Sequence, residues 1–536
     1  MNRSVFKSFC FFVTLFSIFS MGIAHSAPGV KKSEPARFTI LHTSDIHAHL
    51  MEFENQNKEV VGGYARIKKY KESLEAEGKS VLMLSSGDIS QGTFFYRFFE
   101  GVPDVEYMNQ TGYAAMTLGN HEFDKGQETL AEAVKNANFP ILGANIKFKR
   151  IPSLQKLIKP YTLINTGNDN SVKIAIIGLA PENLTSIVQS VFVKDIEIMK
   201  AAQTVASVLP EIKAQKPDMI LVLSHLGWEK ELEIFEQFPE IDGVLGGHTH
   251  LFIDPPAVTK GPNGHRFMSQ PGEFGEKVTR YDISFYKNTD FKIEVERAGL
   301  IKMDHKIPND PKISVEVNKL WKQIEGKVSE PVAETKVFLD GTRGNVRRIE
   351  TNLGDLMCDS MAELTNADGA IMNGGGIRDS IKEGTITTGD VLNVLPFDNY
   401  MVKLTLKGES LKKLFRQVAE LNNTPGGFGG FLQISGSMRV DYNKAEPLYS
   451  FNQKAIEDNK LYTITTNDFL AEAGNGLSAL KEAVNLETTG ILGSDLFLRY
   501  LKQAKTVSPM VDGRIKTKPA TKLKLPKGTV KTIPQF

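Results

Sequence analysis

Short apolar runs rich in β-forming residues recur through the first half of the chain, at 38–41, 81–84, 114–118, 172–177, 219–223 and 243–245, with helical stretches between them. Alternation of this kind makes an α/β fold, and in open α/β sheets the functional side chains gather in loops beyond the carboxyl ends of strands. Asp45, Asp88, Asn120 and His225 each stand within a few positions after such a run, and His248 follows the run ending at Leu245. One fold can therefore bring them together.

The residues at those positions share a chemistry. Asp45-Ile46-His47, Gly87-Asp88, Gly119-Asn120-His121-Glu122, His225 and Gly247-His248-Thr249-His250 supply carboxylates, imidazoles and an amide, with no thiolate. Such donors suit Zn, Mn, Co or Fe held for Lewis-acid work rather than a closed structural zinc. Asp45 and His47 are two apart on a strand-to-loop segment, where alternation points both side chains the same way. Asp88 follows a glycine at a strand end, and its two oxygens can bridge two ions. Asn120 offers a neutral carbonyl oxygen, and Asp124 stands where it can hold the His121 imidazole in one tautomer, making an acid with an orienting partner. His248 and His250 form a ligand pair on a tight loop behind two glycines. Taken singly, each fragment is an ordinary turn or a core histidine; together they specify a two-metal hydrolytic site.

A chain of 536 residues exceeds one hydrophobic core, and two large domains are expected. Basic and acidic residues number 64 and 63, so neither a nucleic-acid polymer nor a membrane surface is an implied partner. Arg3 and Lys7 precede an apolar run from Phe9 to Ile23, and Ala24-His25-Ser26-Ala27 supplies small residues for cleavage. Residues 1–26 therefore read as a cleaved secretory signal, because the apolar run of about fifteen residues is too short for a spanning helix, which needs about twenty. The product is expected in the periplasm or outside the cell, with no stable membrane anchor. Cys10 lies inside the signal, which leaves Cys358 alone in the mature chain and excludes an internal disulfide.

Asp310 and Pro311 open a helix in which Ile313, Val317, Leu320, Ile324 and Val328 keep helical spacing until Pro331 stops it. Residues 310–331 are expected to connect a catalytic domain at 35–309 to a second domain at 332–516; a final core helix of the first domain fits the same pattern. The second domain carries helices at 352–364 and 409–419 and a strand at 401–406, and a basic, Pro-containing tail fills 517–536. Asn373-Gly374-Gly375-Gly376-Ile377-Arg378 offers bare backbone amides to an anion and ends in a guanidinium suited to phosphate or carboxylate. Arg343 and Arg347 add two more cations, and Phe397 and Phe469 lie in polar loops where two rings could sandwich a base. Solvated charge and core packing are the ordinary fates of such residues.

Two resemblances carry the reading further. The order D-x-H, G-D, G-N-H-E, H, G-H-x-H resembles the calcineurin-like metallophosphoesterase superfamily. Thr351-Asn352-Leu353-Gly354-Asp355, the 373–378 glycine run, Leu395-Pro396-Phe397-Asp398-Asn399 and the 430–436 segment resemble the carboxyl-terminal domain of the 5'-nucleotidase family, including its periplasmic UDP-sugar hydrolases. The resemblance covers essentially the whole mature chain. It implies an N-terminal β-sandwich flanked by helices, a connecting helix and a C-terminal α/β nucleotide-binding domain.

It also implies two divalent ions, one on Asp45, His47, Asp88 and His250, the other on Asp88, Asn120, His225 and His248, with Asp88 bridging. His42 and His49 match no ligand and are expected to play supporting parts. His121, oriented by Asp124, would stabilise developing charge or protonate the leaving oxygen. Phe397 and Phe469 would stack on the base, Arg343, Arg347 and Arg378 would hold the nucleotide, and Asn373 and Gly376 would line the pocket. Asn475 stands where the family often has an aspartate that contacts ribose, so hydrogen bonding is kept and charge lost. The implied activity is removal of the 5'-phosphate from nucleoside monophosphates for salvage, reaching to the pyrophosphate of UDP-sugars or NAD-like compounds. Alternatives are 2',3'-cyclic nucleotides with 3'-nucleotides as substrates, or a non-catalytic nucleotide-binding or surface-interaction protein; the intact ligand set argues against the last.

Overall fold

In a computed structural model of the chain, residues 34–536 are described, except 56, 168–170, 423–426, 445–446, 518–525, 528 and 530–532. The expected secretory signal lies outside the described residues.

Each of the six apolar runs is a strand: Ala36–Thr43, Val81–Ser85, Tyr113–Thr117, Lys173–Leu179, Met219–Ser224 and Gly243–Leu245. Their Val, Ile, Leu and Met side chains, apart from the partly buried Val81, are buried on both faces, as parallel strands covered from two sides require. Ala36–Thr43, Val81–Ser85, Tyr113–Thr117 and Ile141–Leu142 form one parallel block. Lys173–Leu179, Met219–Ser224, Gly243–Leu245 and Gly264–Ser269 form another. The strands Lys277–Phe285 and Ile293–Lys302, antiparallel to each other, join the two blocks into a single 13-stranded sheet.

That sheet folds over so that its two blocks face each other. Ile40, Leu84, Ala115 and Leu142 of the first block share one core with Ile174, Ile176, Leu221, Leu223 and Leu245 of the second. The outer faces are covered by helices: Tyr64–Ala76, Val102–Thr111 and Gly126–Val134 on one side, Ala201–Ala214 and Trp228–Gln237 on the other. This is the helix-flanked β-sandwich that the resemblance implied, and it turns the carboxyl ends of both parallel blocks toward one rim.

The helix Pro311–Val328 begins where expected, with the Asp310 carboxylate accepting from the Ile313 N–H at 2.9 Å. Ile313, Val317, Ile324 and Val328 are buried, and the helix packs on Tyr64–Ala76 and Phe94–Phe99 from the first half and on Thr388–Val394 from the second. The second half is built on a mixed five-stranded sheet ordered Leu432–Ile434, Gly369–Asn373, Leu461–Asn467, Tyr400–Lys407, Asn485–Leu492. Gly408–Leu421 covers one face, with Leu411, Leu414, Phe415 and Val418 against Val402, Leu404 and Leu406. Asn352–Thr365, Thr388–Val394 and Gly493–Ala504 cover the other. Cys358 is a free buried thiol on Asn352–Thr365, its pKa pushed up by burial. Among the described residues no helix is long and apolar enough to cross a membrane.

Candidate functional site

Five strand ends deliver the donors. Asp45 and His47 follow Ala36–Thr43, Asp88 follows Val81–Ser85, Asn120 and His121 follow Tyr113–Thr117, His225 follows Met219–Ser224, and His248 and His250 follow Gly243–Leu245. The way Asp45 and His47 converge differs from the expected pleat. Asp45, His47, Asp88, His248 and His250 all have φ between 50° and 73°, a left-handed backbone that side-chain-bearing residues avoid. Such strain persists only where surroundings enforce it and clusters at functional sites. Enforcement comes from the neighbouring strand end: Asp45 N–H donates to Gly87 O at 2.9 Å, His47 N–H to Asp88 O at 3.0 Å and Ala48 N–H to Ile89 O at 2.7 Å. Gly119 is needed for space, because a Cβ there would lie 2.1 Å from Asp88 Oδ1.

The donors form two groups with a common member. Asp45, His47, Asp88 and His250 present ligand atoms within 4.8 Å of one another, as do Asp88, His225 and His248. His250 Nε2 is 3.0 Å from His47 Nε2 and 3.1 Å from Asp45 Oδ1, and His225 Nε2 is 2.9 Å from Asp88 Oδ2. On the outer side, His47 Nδ1 donates to Gln91 O at 2.9 Å and His225 Nδ1 to Ser86 O at 2.5 Å. Carbonyls only accept, so Nδ1 carries a proton in both rings and Nε2 faces inward, able to bind a cation whenever the ring is neutral. His250 Nδ1 is hydrogen-bonded to the Glu273 carboxylate.

Burial holds His47, His248 and His250 well below the ordinary imidazole range, which keeps them neutral donors. Burial also opposes charge on His225, but Asp88 and Asp45 outweigh it and raise its pKa to about 10. These carboxylates thus attract positive charge to the spot. Asn120 Oδ1 is buried without a hydrogen-bond partner. Converging lone pairs, an orphaned amide oxygen and a shared carboxylate fit a pair of divalent cations.

Beside this cluster, His121 Nδ1 is 2.6 Å from Asp124 Oδ2, and the His121 N–H donates to Asp88 Oδ1 at 2.8 Å. Both residues line a cavity of about 390 Å³. Its other walls include Arg343, Arg347, Asn373, Gly376, Arg378, Phe397, Phe469 and Asn475, so residues from both halves of the chain meet here. Arg343 Nη2 donates to His248 O at 2.8 Å, and Arg378 Nη2 is 3.3 Å from His47 Nε2. The Nε atoms of Arg343 and Arg347 are buried without a hydrogen-bond partner. Burial, and beyond it the repulsion among the three guanidiniums, lowers the pKa of Arg347; burial with the neighbouring Arg378 lowers that of Arg343 to about 10. Three crowded cations are a receptor for an anion.

The Phe397 ring lies nearly parallel to the His121 imidazole at 5.8 Å, with the Arg378 guanidinium also 5.8 Å from it. Phe469 rests against Gly474, where a Cβ would lie 2.5 Å from its ring. Asn467, Asn373 and Asn475 form a chain of amide hydrogen bonds of 3.0 and 3.3 Å. His42 and His49 stay outside the donor groups: His42 Nε2 meets Ser86 Oγ at 2.8 Å, and His49 stacks on Phe274 at 4.1 Å.

Sequence reasoning assigned no part to two carboxylates. Glu122 accepts from the N–H groups of Asp88, Ile89, Ser90 and Gly119, and its place beside His121 was the only signal for it. Glu273 lies in a turn distant from every motif, and nothing local announces it.

Two family models match the chain: calcineurin-like phosphoesterase over residues 38–252 and the 5'-nucleotidase C-terminal domain over residues 331–482. The 5'-nucleotidase of Diplobatis ommata is 32% identical over 536 residues, covering 90% of this chain and 90% of that protein. The trifunctional nucleotide phosphoesterase protein YfkN of Bacillus subtilis (strain 168) is 31% identical across 89% of this chain, which spans only 35% of that protein's length. Among solved structures, a 5'-nucleotidase precursor from Thermus thermophilus superposes with a TM-score of 0.82 at 29% identity, covering 90% of this chain and 99% of that one.

Proposed function

The chain belongs to the 5'-nucleotidase family and is a metal-dependent hydrolase; on that premise we propose that it removes the 5'-phosphate of nucleoside monophosphates, in the periplasm or outside the cell, for salvage. The observation that carries the reading is convergence: a cluster of metal donors sharing Asp88 opens onto the same cavity as three guanidiniums and two phenylalanines. Asp45, His47, Asp88 and His250 would hold one divalent ion, and Asp88, Asn120, His225 and His248 the other. Bound there, the pair would supply Lewis acidity to the phosphoryl oxygens and make water a better nucleophile near neutral pH. The donor set accepts Zn, Mn, Co or Fe.

The chain's own residues divide the remaining work. Arg343, Arg347 and Arg378 neutralise the phosphate and orient it, which the unpaired Nε atoms of Arg343 and Arg347 support. Phe469 and Phe397 take the base between aromatic faces, and Asn373 and Asn475 serve the ribose hydroxyls, with Gly376 leaving room for them. His121 delivers a proton from Nε2 to the departing 5'-oxygen, and Asp124 holds the ring for it. A catalytic domain at 35–309, a connecting helix at 310–331 and a substrate domain at 332–516 frame this arrangement, ahead of a basic tail at 517–536.

The name of the trifunctional relative supports a wider reach, which we extend to the pyrophosphates of UDP-sugars and NAD. The test is a panel of AMP, UMP, UDP-glucose, NAD and 2',3'-cyclic nucleotides, assayed after chelation and after return of each metal. Phosphate release from AMP or UMP that chelator abolishes and metal restores is the expected result. Release from cyclic nucleotides alone would transfer the assignment to the phosphodiesterase alternative, and release from none would overturn it.

A further inference from the structure

Three imidazoles of the donor cluster have their outer Nδ1 satisfied, but not alike. His47 and His225 use backbone carbonyls, whereas His250 uses the side chain of Glu273. Glu273 belongs to the turn after the strand Gly264–Ser269, and its side chain is 21% exposed. The turn is fastened to the metal loops. Phe274, at φ 60°, donates its N–H to Asp45 O at 2.7 Å. Its ring stacks on His49 at 4.1 Å and meets His47 edge-on at 6.0 Å and His250 at 6.3 Å. Gly272, at φ +88°, is pressed against Phe252, where a Cβ would lie 2.0 Å from the ring. The backbone that carries Glu273 is thus set by the same packing that sets Asp45 and His47.

The consequence is directional. An imidazole can offer the Nε2 lone pair only while Nδ1 carries the proton, and a carboxylate on Nδ1 fixes both the tautomer and the ring plane. His250 sits at φ 56° on a loop between Gly247 and Leu251, so its backbone alone leaves the ring free to turn. With the ring held, Nε2 stands 3.0 Å from His47 Nε2 and 3.1 Å from Asp45 Oδ1, facing the first donor group only.

We propose that Glu273 is the positioning residue for His250 and that, through this hydrogen bond, it sets the affinity of the ion bound by Asp45, His47, Asp88 and His250 while leaving the second ion unaffected. The inference rests on the two-ion reading. Binding of Zn²⁺ and of Mn²⁺ to the metal-stripped full chain, followed by competition with a chromogenic chelator, tests it without any activity measurement. Glu273→Ala should weaken one of two sites by about 10–100-fold, the usual effect of removing such a partner, and leave the other unchanged. Glu273→Gln keeps an acceptor oxygen within reach and should restore both sites to within a few-fold of the parent. Glu273→Asp keeps the charge but withdraws it by one methylene, so it should weaken the same site as alanine; with Gln, it decides the matter if the alanine variant does not fold. Two undisturbed sites in Glu273→Ala, equal weakening of both sites, or a Gln variant as weak as Ala would overturn the proposal. If the parent itself binds fewer than two ions, the two-ion reading fails instead, whatever Glu273 does.

Discussion

Replacing Glu122 by glutamine should loosen the turn that carries Asp88. Glu122 is 3% exposed and accepts four backbone N–H groups: Asp88 at 3.0 Å and Gly119 at 2.6 Å on Oε2, Ile89 at 2.9 Å and Ser90 at 3.2 Å on Oε1. Glutamine has the same shape but only one acceptor oxygen. Whichever way its amide is turned, two of the four N–H groups face an NH₂ and lose their partner. Leaving a buried donor unsatisfied costs about 1–3 kcal/mol, so the pair should cost about 2–6 kcal/mol of folding stability. Burial, and then the nearby Asp88 carboxylate, push the Glu122 pKa up to about 7, so the comparison belongs at about pH 8, where the parent side chain is ionised. The assay is urea unfolding with and without chelator, together with metal content. A lower unfolding free energy even under chelator, and fewer ions retained, is the expected outcome. An unfolding free energy within about 0.5 kcal/mol of the parent would refute the view that this carboxylate holds the loop.

Three further outcomes follow from the same geometry. His121→Ala should lower turnover on AMP by about a hundredfold or more while metal content stays near normal, since a general acid contributes on that order and His121 lies outside both donor groups; unchanged turnover removes the assigned role. Phe469→Ala should raise KM for AMP by roughly 5- to 150-fold, from about 1–3 kcal/mol of stacking, and KM for a simple aryl phosphate far less; equal changes on both substrates would end the stacking argument. Asp355 is 1% exposed, and burial raises its pKa to about 8 against the pull of Arg514, 3.4 Å away. A carboxyl raised in this way favours the folded state most below its ordinary value of about 3.9, and that contribution disappears as pH climbs through about 8. Unfolding free energy should therefore fall across that window in the parent and fall less in Asp355→Asn, and identical pH slopes would contradict the assignment.

Much of the architecture is legible in the sequence. A run such as 219–223, apolar at every position, can bury both faces only as an interior strand, and it is one, at Met219–Ser224. Capping and periodicity gave the helix Pro311–Val328 its start at Asp310 and its buried stripe. The strands Lys277–Phe285 and Ile293–Lys302 were not anticipated, although they join the two halves of the sheet. Their role as a bridge is a matter of pairing partners, which local pattern does not encode.

The division at the site is similar. Residue types and their places after strands were enough to state the chemistry of the donors, because hardness, charge and tautomer are properties of side chains themselves. Tertiary structure alone decided which lone pairs face inward, that five donor residues sit in left-handed backbone rather than on a pleat, and that Glu122 and Glu273 brace them. It also decided that the Nε atoms of Arg343 and Arg347 are buried instead of solvated, and that Phe397 faces the His121 imidazole. Each of these depends on atoms brought together from remote parts of the chain, where the free energy of packing overrides what any short segment prefers.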